Sequence, residues 1–193
     1  MGWETLKATE IGFGCVWQVD LAVFDDSRGH FYELFSNNHL QLIPGVSFNP
    51  VQSNISVSRK GALRGIHYSL AKGGQSKWVT CLRGKILDCV IDLRENSPTF
   101  GTSKLVELSS TSPQAIYIGA GIGHAFLSLE NESMISYLLD RKFDPSQEFA
   151  LNPLDPTLEI MWPKMDYLLS EKDSTARSLR ELIIDKKLPK QEY

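Results

Sequence analysis

Short β-rich runs separated by turn-forming residues are the feature that most limits how this chain can fold. The runs are bounded by Gly, Pro, Asn and Ser and recur along most of the sequence. Short strands at regular spacing with turn signals between them predict an antiparallel sandwich or barrel. The candidate strands are Val16–Val23, Phe31–Phe35, Gln52–Ser58, Leu63–Ser69, Lys77–Leu82, Lys85–Leu93, Ser103–Leu108, Gln114–Ile118, His124–Leu129 and Ser133–Leu139.

The run Lys85–Leu93 shows the alternation that a strand with two different faces requires. Its odd positions from Leu87 to Leu93 are apolar, whereas Asp88 and Asp92 stand on even positions. Successive side chains of a strand point to opposite faces of the sheet. We therefore expect the face that carries the two acids to open onto solvent or onto a polar cavity.

Helix signals are few and lie mostly near the end of the chain. The residues 39–42 predict a turn of helix, and Ser174–Asp185 has apolar residues at helical spacing. Residues 152–164 hold three prolines and predict an extended covering segment. The sequence thus predicts a mainly β protein, a cupin-type jelly roll with a few peripheral helices. We expect one domain over residues 1–193, with the jelly roll at about 16–140 and the covering segment and helix at about 141–193.

Composition narrows the function classes. A net charge of −3 over 193 residues argues against a broad basic face for nucleic acid. No apolar run approaches the length needed to span a membrane. The three cysteines, Cys15, Cys81 and Cys89, form no CxxC pair, and their odd number together with the lack of a signal peptide predicts a reducing, cytoplasmic setting.

Several polar residues interrupt runs that otherwise look like core. Arg64 and His67 stand in the apolar segment 61–68 and differ by three, so they face opposite sides of a regular strand unless Gly65 marks a bulge. Taken singly, each polar residue is more often structural than functional. The others in such runs are Lys77, His124 and Tyr137.

A metal-dependent cupin is the first functional class to consider. Such sites typically offer a His-x-His pair followed by Glu, with a further His on a later strand. Here the corresponding residues are His67, Tyr68 and Ser69, and no Glu occurs between Ser69 and Gly84. Scattered histidines make a poor site for a transition metal, so we expect no metal.

Six blocks of sequence carry a resemblance to a known family. From about Val19 to about Ser174 the chain resembles the dTDP-4-dehydrorhamnose 3,5-epimerase family. The resemblance implies a cofactor-free jelly-roll homodimer that acts on a dTDP-4-keto-6-deoxyhexose in deoxysugar biosynthesis. The matching blocks are Asp26–Glu33, Gln52–Asn54, Leu63–Tyr68, Asp92–Gly101, Trp162–Pro163 and Leu169–Asp173.

The resemblance also implies roles for individual residues. His67 matches the base and Tyr137 the acid, Asp173 completes a dyad with His67, and Lys77 matches the lysine near the ketone. Phe31 and Glu33 match residues that hold the thymine. Further positions match contacts to nucleotide, diphosphate or sugar; these are Arg28, Gln52, Asn54, Arg64 and His124.

Two residues depart from the family pattern. Phe143 stands where a tyrosine usually stacks on the base, so stacking can survive without the hydroxyl contact. Ala125 replaces a glycine that commonly follows the second histidine. Family members invert carbon 3, carbon 5 or both, and the sequence leaves these alternatives open. A non-catalytic sugar-nucleotide-binding cupin and a metal-dependent cupin oxygenase or isomerase are the rival hypotheses.

These residue types suit epimerisation beside a ketone. Histidine is basic yet largely neutral near pH 7, and a carboxylate fixes its tautomer. Tyrosine stays protonated at neutral pH and can return a proton. Lysine offers a cation where the enolate oxygen gains charge, and arginine binds diphosphate bidentately.

Overall fold

A computed structural model describes residues 6–190 and shows two antiparallel sheets packed face to face. In chain order the strands are β1 (Ala8–Gly12), β2 (Val16–Asp20), β3 (Val23–Asp26), β4 (Gly29–Tyr32), β5 (Gln52–Ser58), β6 (Leu63–Ser69), β7 (Lys77–Arg83), β8 (Lys85–Asp92), β9 (Ser103–Ser109), β10 (Gln114–Ile118), β11 (Ile122–Ser128), β12 (Ser133–Leu139) and β13 (Glu148–Ala150). The helices are α1 (Asn37–Leu40), α2 (Glu171–Ser174) and α3 (Leu179–Ile184), and Pro156–Leu158 forms a 3-10 turn.

The strand order defines a jelly roll. Sheet one runs β1-β2-β10-β7-β12-β5, and sheet two runs β13-β6-β11-β8-β9. The hairpin β3–β4 forms a separate two-stranded sheet. The expected mainly β, cupin-type jelly roll with few helices is confirmed.

Three apolar clusters hold these layers together. One fills the space between the sheets and includes Val79, Ile116 and Ile135. A second lies between sheet two and the C-terminal segment, and a third covers the outer face of sheet one around Trp78. Residues on β7 alternate between the first and third clusters, as the two-residue period of a strand requires.

Most predicted strands agree with the structure. The runs Gln52–Ser58, Leu63–Ser69, Gln114–Ile118 and Ser133–Leu139 match from end to end. The run predicted at 16–23 is wrong as one strand, because β2 ends at Asp20 and β3 begins a new hairpin at Val23. Strands β1 and β13 lie outside the 16–140 range expected for the jelly roll.

The expectation that Asp92 faces solvent or a polar cavity is wrong, because its side chain is buried. Arg94 forms a bidentate ion pair with it, and the hydroxyls of Ser97 and Thr99 donate to it. Burial raises the pKa of this carboxyl, but these hydrogen bonds outweigh burial and lower the pKa to about 2. The turn after β8 therefore supplies every partner that a buried acid needs.

The C-terminal helix predicted over Ser174–Asp185 is shorter than expected, because within that range only α3 is helical beyond Ser174. After α2 ends at Ser174, residue Arg177 forms a parallel bridge to Leu151, and α3 then begins at Leu179. Ser178 starts it with a capping box: its hydroxyl accepts from the Glu181 N–H while the Glu181 carboxylate accepts from the Ser178 N–H.

Two smaller predictions also differ from the structure. The helical turn expected at 39–42 forms at Asn37–Leu40, and the segment 152–164 contains the 3-10 turn at Pro156–Leu158. Over residues 6–190, no helix has the length and apolar character needed to cross a membrane.

Candidate active site

A cavity of about 210 Å³ lies between the two sheets and gathers the chemistry-bearing residues of several distant segments. Larger clefts exist elsewhere, but the 910 Å³ cleft beside the hairpin lacks all of the proposed acid–base residues. The lining of the smaller cavity is Ser56, Arg64, His67, Lys77, His124, Phe126, Ile135, Tyr137, Ser170, Lys172 and Asp173.

A bulge in β6 places Arg64 and His67 on the same side of sheet two. His124 of β11 is opposite His67, while Phe126 is opposite Arg64, so two steps on β11 span three on β6. Gly65 has a φ of +110°, in the region that favours glycine. An added Cβ there would lie 2.5 Å from the His124 carbonyl oxygen. The bulge predicted at Gly65 is thus present, and both side chains line the cavity.

His67 and Asp173 form a hydrogen-bonded pair. The distance from His67 Nε2 to Asp173 Oδ1 is 2.7 Å, and Asp173 is 3% exposed. Asp173 lies on α2, whose N-cap Ser170 accepts from the Asp173 N–H. Burial raises the pKa of the Asp173 carboxyl, but hydrogen bonds from His67, Ser170 and the Gly65 backbone outweigh burial, and the pKa is lowered overall.

Lys77, the first residue of β7, is buried at the cavity wall. Its Nζ donates to the His67 carbonyl oxygen at 3.4 Å. Burial lowers the pKa of Lys77, the carboxylates of Glu148 and Asp88 oppose this, and the charge of Lys172 adds to the lowering. The ammonium is therefore poorly solvated and would gain strongly from a negative charge in the cavity.

His124 forms a second pair beside the first. Its Nε2 lies 2.7 Å from Oδ2 of Asp88, and both side chains are buried. Asp88 itself is buried and does not line the cavity, so it acts on the cavity only through His124, and the expectation that its side chain opens onto solvent or a polar cavity is not confirmed. Asp88 makes its hydrogen bond to His124 and influences Lys77 through its charge.

Tyr137 reaches the cavity from sheet one, opposite the sheet that carries His67. In β12 it is paired with Val79 of β7 and Asn54 of β5, so its side chain shares their inward face. Burial raises the pKa of the Tyr137 phenol, and the charge of Arg64 opposes the rise. The phenol is therefore protonated at neutral pH.

Three of the residues predicted to bind substrate lie together beyond the cavity lining. Gln52 Nε2 donates to Asn54 Oδ1 at 3.0 Å, and Gln52 Oε1 accepts from the Phe143 N–H at 2.8 Å. The Phe143 side chain is 55% exposed. An exposed aromatic ring fixed beside two amides can stack on a planar base.

The remaining three predicted binding residues are not brought to the cavity lining. Arg28 lies in the turn of the β3–β4 hairpin and pairs with Asp26, while Phe31 of β4 is 63% exposed. Glu33 follows the same strand and is half-buried. Ala125, the departure on β11, is buried in the cluster behind sheet two and does not line the cavity.

The cavity also contains residues to which sequence reasoning gave no role. Lys172 and Ser170 belong to the block Leu169–Asp173 that carries the resemblance, and Ser170 also begins a capping pattern for α2. These two signals could have identified them. Ser56, Phe126 and Ile135 complete the wall, and only their tertiary position reveals it. Within residues 6–190, no three His, Cys, Asp or Glu side chains cluster in a way that could hold a metal ion.

Fold and site together define a cupin-type jelly roll with an acid–base centre between its sheets. Residues 12–181 match the family model described as dTDP-4-dehydrorhamnose 3,5-epimerase. The chain belongs to the dTDP-4-dehydrorhamnose 3,5-epimerase family, and its class is that of the isomerases.

Individual relatives agree with this assignment. The chain is 38% identical over 177 residues to the dTDP-4-dehydrorhamnose 3,5-epimerase of Mycolicibacterium smegmatis, covering 91% of this chain and 87% of that one. It is 40% identical to a dTDP-4-dehydro-6-deoxyglucose 3-epimerase of a Streptomyces species, with 84% of each chain covered. Among solved structures, a 4-keto-6-deoxy sugar epimerase from the novobiocin gene cluster of Streptomyces spheroides superposes with a TM-score of 0.92 at 36% identity, covering 96% and 93%.

Proposed function

We propose that the chain epimerises a dTDP-4-keto-6-deoxyhexose at carbon 3, carbon 5 or both, by proton removal and return beside the ketone, without a cofactor. Membership of the family supports the reaction class. The observation that carries the mechanism is the presence of His67 and Tyr137 on opposite sheets of one cavity, with Lys77 also in its lining. A sugar ring in this cavity would present its two faces to two different groups.

His67 is the proposed base. Its Nε2 is engaged by Asp173, so a carboxylate holds the proton there and leaves the Nδ1 lone pair free to accept one. When Nδ1 takes the proton from carbon, the buried Asp173 carboxylate stabilises the resulting imidazolium. This pair therefore fixes both the tautomer and the orientation of the ring.

Lys77 is the proposed electrostatic partner of the enolate. Removing a proton beside a ketone moves negative charge onto the ketone oxygen, and a cation already fixed in a poorly solvated wall stabilises that charge without reorganisation. His124 lies in the same lining, oriented by its buried partner Asp88, and can hold a sugar hydroxyl.

Tyr137 is the proposed acid. Because burial raises the pKa of its phenol, the group holds its proton until the carbanion forms. Donation from sheet one to the face opposite His67 inverts the carbon. Carbons 3 and 5 both flank the ketone, so a turned ring brings either of them to the same pair.

The cavity size supports a binding mode in which the sugar lies inside the cavity and the nucleotide lies outside it. Its volume of about 210 Å³ is below the roughly 300–1,000 Å³ of pockets that enclose a whole ligand. We therefore place the sugar inside, the diphosphate against the Arg64 guanidinium, and the thymine on Phe143 beside Gln52 and Asn54.

We also propose a cytoplasmic homodimer. Phe31 and Arg28 project from a hairpin outside the cavity lining, and a second copy would let them reach the nucleotide of its partner. The edge strand β5 supports this, since Val51, Ile55 and Val57 expose an apolar stripe at a free sheet edge. The three free cysteines suit a reducing compartment.

Deuterium exchange separates the acid from the base. In deuterated water with dTDP-4-keto-6-deoxyglucose, we expect His67→Ala to abolish exchange of the ring protons beside the ketone. We expect Tyr137→Phe to cripple net inversion more than exchange, because deprotonation survives. Proton NMR of product and recovered substrate measures both, and the labelled carbons identify the carbon inverted.

Two outcomes would overturn this mechanism. Normal exchange in His67→Ala would remove His67 from the base role, and equal loss of exchange and inversion in Tyr137→Phe would contradict separate duties. Binding of dTDP-hexoses without any deuterium incorporation by the unaltered protein would favour the non-catalytic binding protein. Elemental analysis and activity after chelation test the metal-dependent alternative.

A further inference from the structure

His39 is a fully buried histidine outside the cavity that holds the acid–base pair. It ends the first turn of α1, is 0% exposed, and stacks on Trp78 with ring centroids 5.7 Å apart and an interplanar angle of 21°. Its Nδ1 accepts the backbone N–H of Ser36 at 3.0 Å. The imidazole is therefore fixed by stacking on one side and by a hydrogen bond on the other.

This hydrogen bond determines which ring nitrogen carries the proton. A nitrogen that accepts an N–H has no hydrogen of its own, so the neutral imidazole must carry its proton on Nε2. Burial lowers the pKa of His39, and the Glu33 charge opposes this without reversing it, so the ring is neutral. Nε2–H is then a donor, and within residues 6–190 this buried atom has no hydrogen-bond partner.

Glu33 supplies a complementary acceptor that is also buried. Its Oε2 is also buried and has no partner among the described residues, although the residue as a whole is half-buried. The charge of Glu33 raises the pKa of His39 against the effect of burial. The Trp78 indole N–H does not compete for the Glu33 carboxylate, because it donates to the Leu34 carbonyl oxygen. A buried donor or acceptor without a partner has lost its hydration without compensation, so native proteins pair such groups directly or through water.

We propose that His39 is a positioning residue for Glu33: its Nε2–H holds the inward carboxylate oxygen, directly or through one bound water, so that the outward oxygen meets the nucleobase. This inference rests on the proposed function and on the thymine contact that the family resemblance implies for Glu33. It adds a residue that the family resemblance does not mark, and it acts on nucleotide choice rather than on proton transfer.

Nucleobase selectivity is the property that this arrangement controls. The ring nitrogen N3 of thymine carries a hydrogen that a carboxylate can accept, whereas N3 of cytosine is itself an acceptor and is repelled by a carboxylate. A carboxylate fixed by His39 therefore favours dTDP over dCDP. A carboxylate free to rotate away loses part of that preference, because its ordering must then be achieved on binding.

The matched variants are His39→Phe and His39→Gln. Phenylalanine keeps an aromatic ring against Trp78 but removes both hydrogen bonds, whereas glutamine keeps one acceptor and one donor. We expect His39→Phe to weaken dTDP binding about tenfold, as loss of one charge-assisted hydrogen bond implies, with dCDP binding unchanged. His39→Gln should recover most of the preference, and kcat should stay within about twofold while KM rises.

A double-mutant cycle with Glu33→Leu tests the coupling. The measurements are calorimetric titrations of the intact protein with dTDP and with dCDP, and thermal unfolding checks that each variant is folded. If His39 acts through Glu33, His39→Phe has no further effect on the dTDP-to-dCDP ratio once Glu33 is leucine. An equal effect in both backgrounds, or an unchanged ratio in folded His39→Phe, would overturn the proposal.

The same data separate this inference from the proposed nucleotide site. If Glu33→Leu alone leaves the dTDP-to-dCDP ratio unchanged, the nucleobase role of Glu33 fails and the His39 proposal fails with it. If Glu33→Leu changes the ratio and His39→Phe does not, only the His39 proposal fails. Nitrogen-15 NMR of the His39 imidazole gives a test that does not depend on folding of a His39 variant. The Nε2–H signal should be protected from exchange with solvent, and its chemical shift should change in Glu33→Leu. An unchanged shift refutes the pairing.

Discussion

Replacing Asp173 with asparagine should leave the fold intact and remove most of the catalytic rate. The Asp173 carboxylate receives hydrogen bonds from Ser170 and the Gly65 backbone as well as from His67. In Asp173→Asn these donors select the amide oxygen, which turns the amide NH₂ toward His67 Nε2. The imidazole must then accept at Nε2 and carry its proton on Nδ1, where the base should be free.

The magnitude follows from the contact. A hydrogen bond to a charged group contributes about 1.5–3 kcal/mol, which at about 1.36 kcal/mol per factor of ten is roughly a 10- to 150-fold loss in rate. The wrong tautomer adds to this, and in a histidine–carboxylate pair of another enzyme class the same substitution lowers kcat by about 10⁴. We expect kcat for Asp173→Asn to fall between about 10²- and 10⁴-fold.

Single-turnover deuterium exchange followed by NMR measures this loss without interference from product release. Glu171→Gln is the matched control, since it makes the same chemical change two residues earlier on the exposed side of α2. The control should exchange at the unaltered rate. If Asp173→Asn loses less than about threefold in exchange while remaining folded, the carboxylate does not set the tautomer, and the reasoning is refuted.

Two stability predictions concern residues away from proton transfer. The pKa of Asp92 is lowered to about 2 from an ordinary value of 3.8. The ionised carboxylate therefore stabilises the fold by about 2 kcal/mol above pH 4, and this contribution is lost as the pH falls from 4 toward 2. The acid unfolding curve of Asp92→Asn should lack that slope, and an unchanged slope would contradict the assignment. Gly65→Ala should cost at least about 3 kcal/mol, because the new Cβ would lie 2.5 Å from the His124 carbonyl oxygen and 2.7 Å from Ala125 Cα. Gly14→Ala, with a φ of +68° and open space around it, is the control for backbone strain alone and should cost about 1 kcal/mol in urea unfolding; equal losses for both variants would argue against the close contact.

The strands were predictable where a run of β-favouring residues has turn signals at both ends. The runs that became β5, β6, β10 and β12 are of this kind. The three-residue strand β13 is too short to show a pattern, and its pairing with β6 depends on tertiary contacts. The start of α3 was predicted too early because the residues from Ser174 were taken as its polar first turn, although Ser178 and Glu181 mark the actual cap.

The site was predictable in part, for a different physical reason. Single polar residues in apolar runs, such as His67 and Lys77, indicate a polar cavity. The sequence does not show which of these residues line the same cavity. The resemblance supplied the grouping, and the structure adds Lys172 and the His124–Asp88 pair. Asp92 looked equivalent to Asp88 by alternation, yet Asp92 is paired with Arg94 in the turn after β8, whereas Asp88 is paired with His124 of the cavity lining.

The position of Asp173 beyond both sheets has a consequence for how the enzyme matures. The last strand ends at Ala150, and the segment that carries Asp173 reaches the β6 edge through the pairing of Leu168 with Gly61 and Leu63. A nascent chain could complete the whole sandwich and still lack half of its dyad. Activity would then begin only when this tail docks, and a nick between residues 150 and 168 could silence the enzyme while leaving its β-spectrum intact.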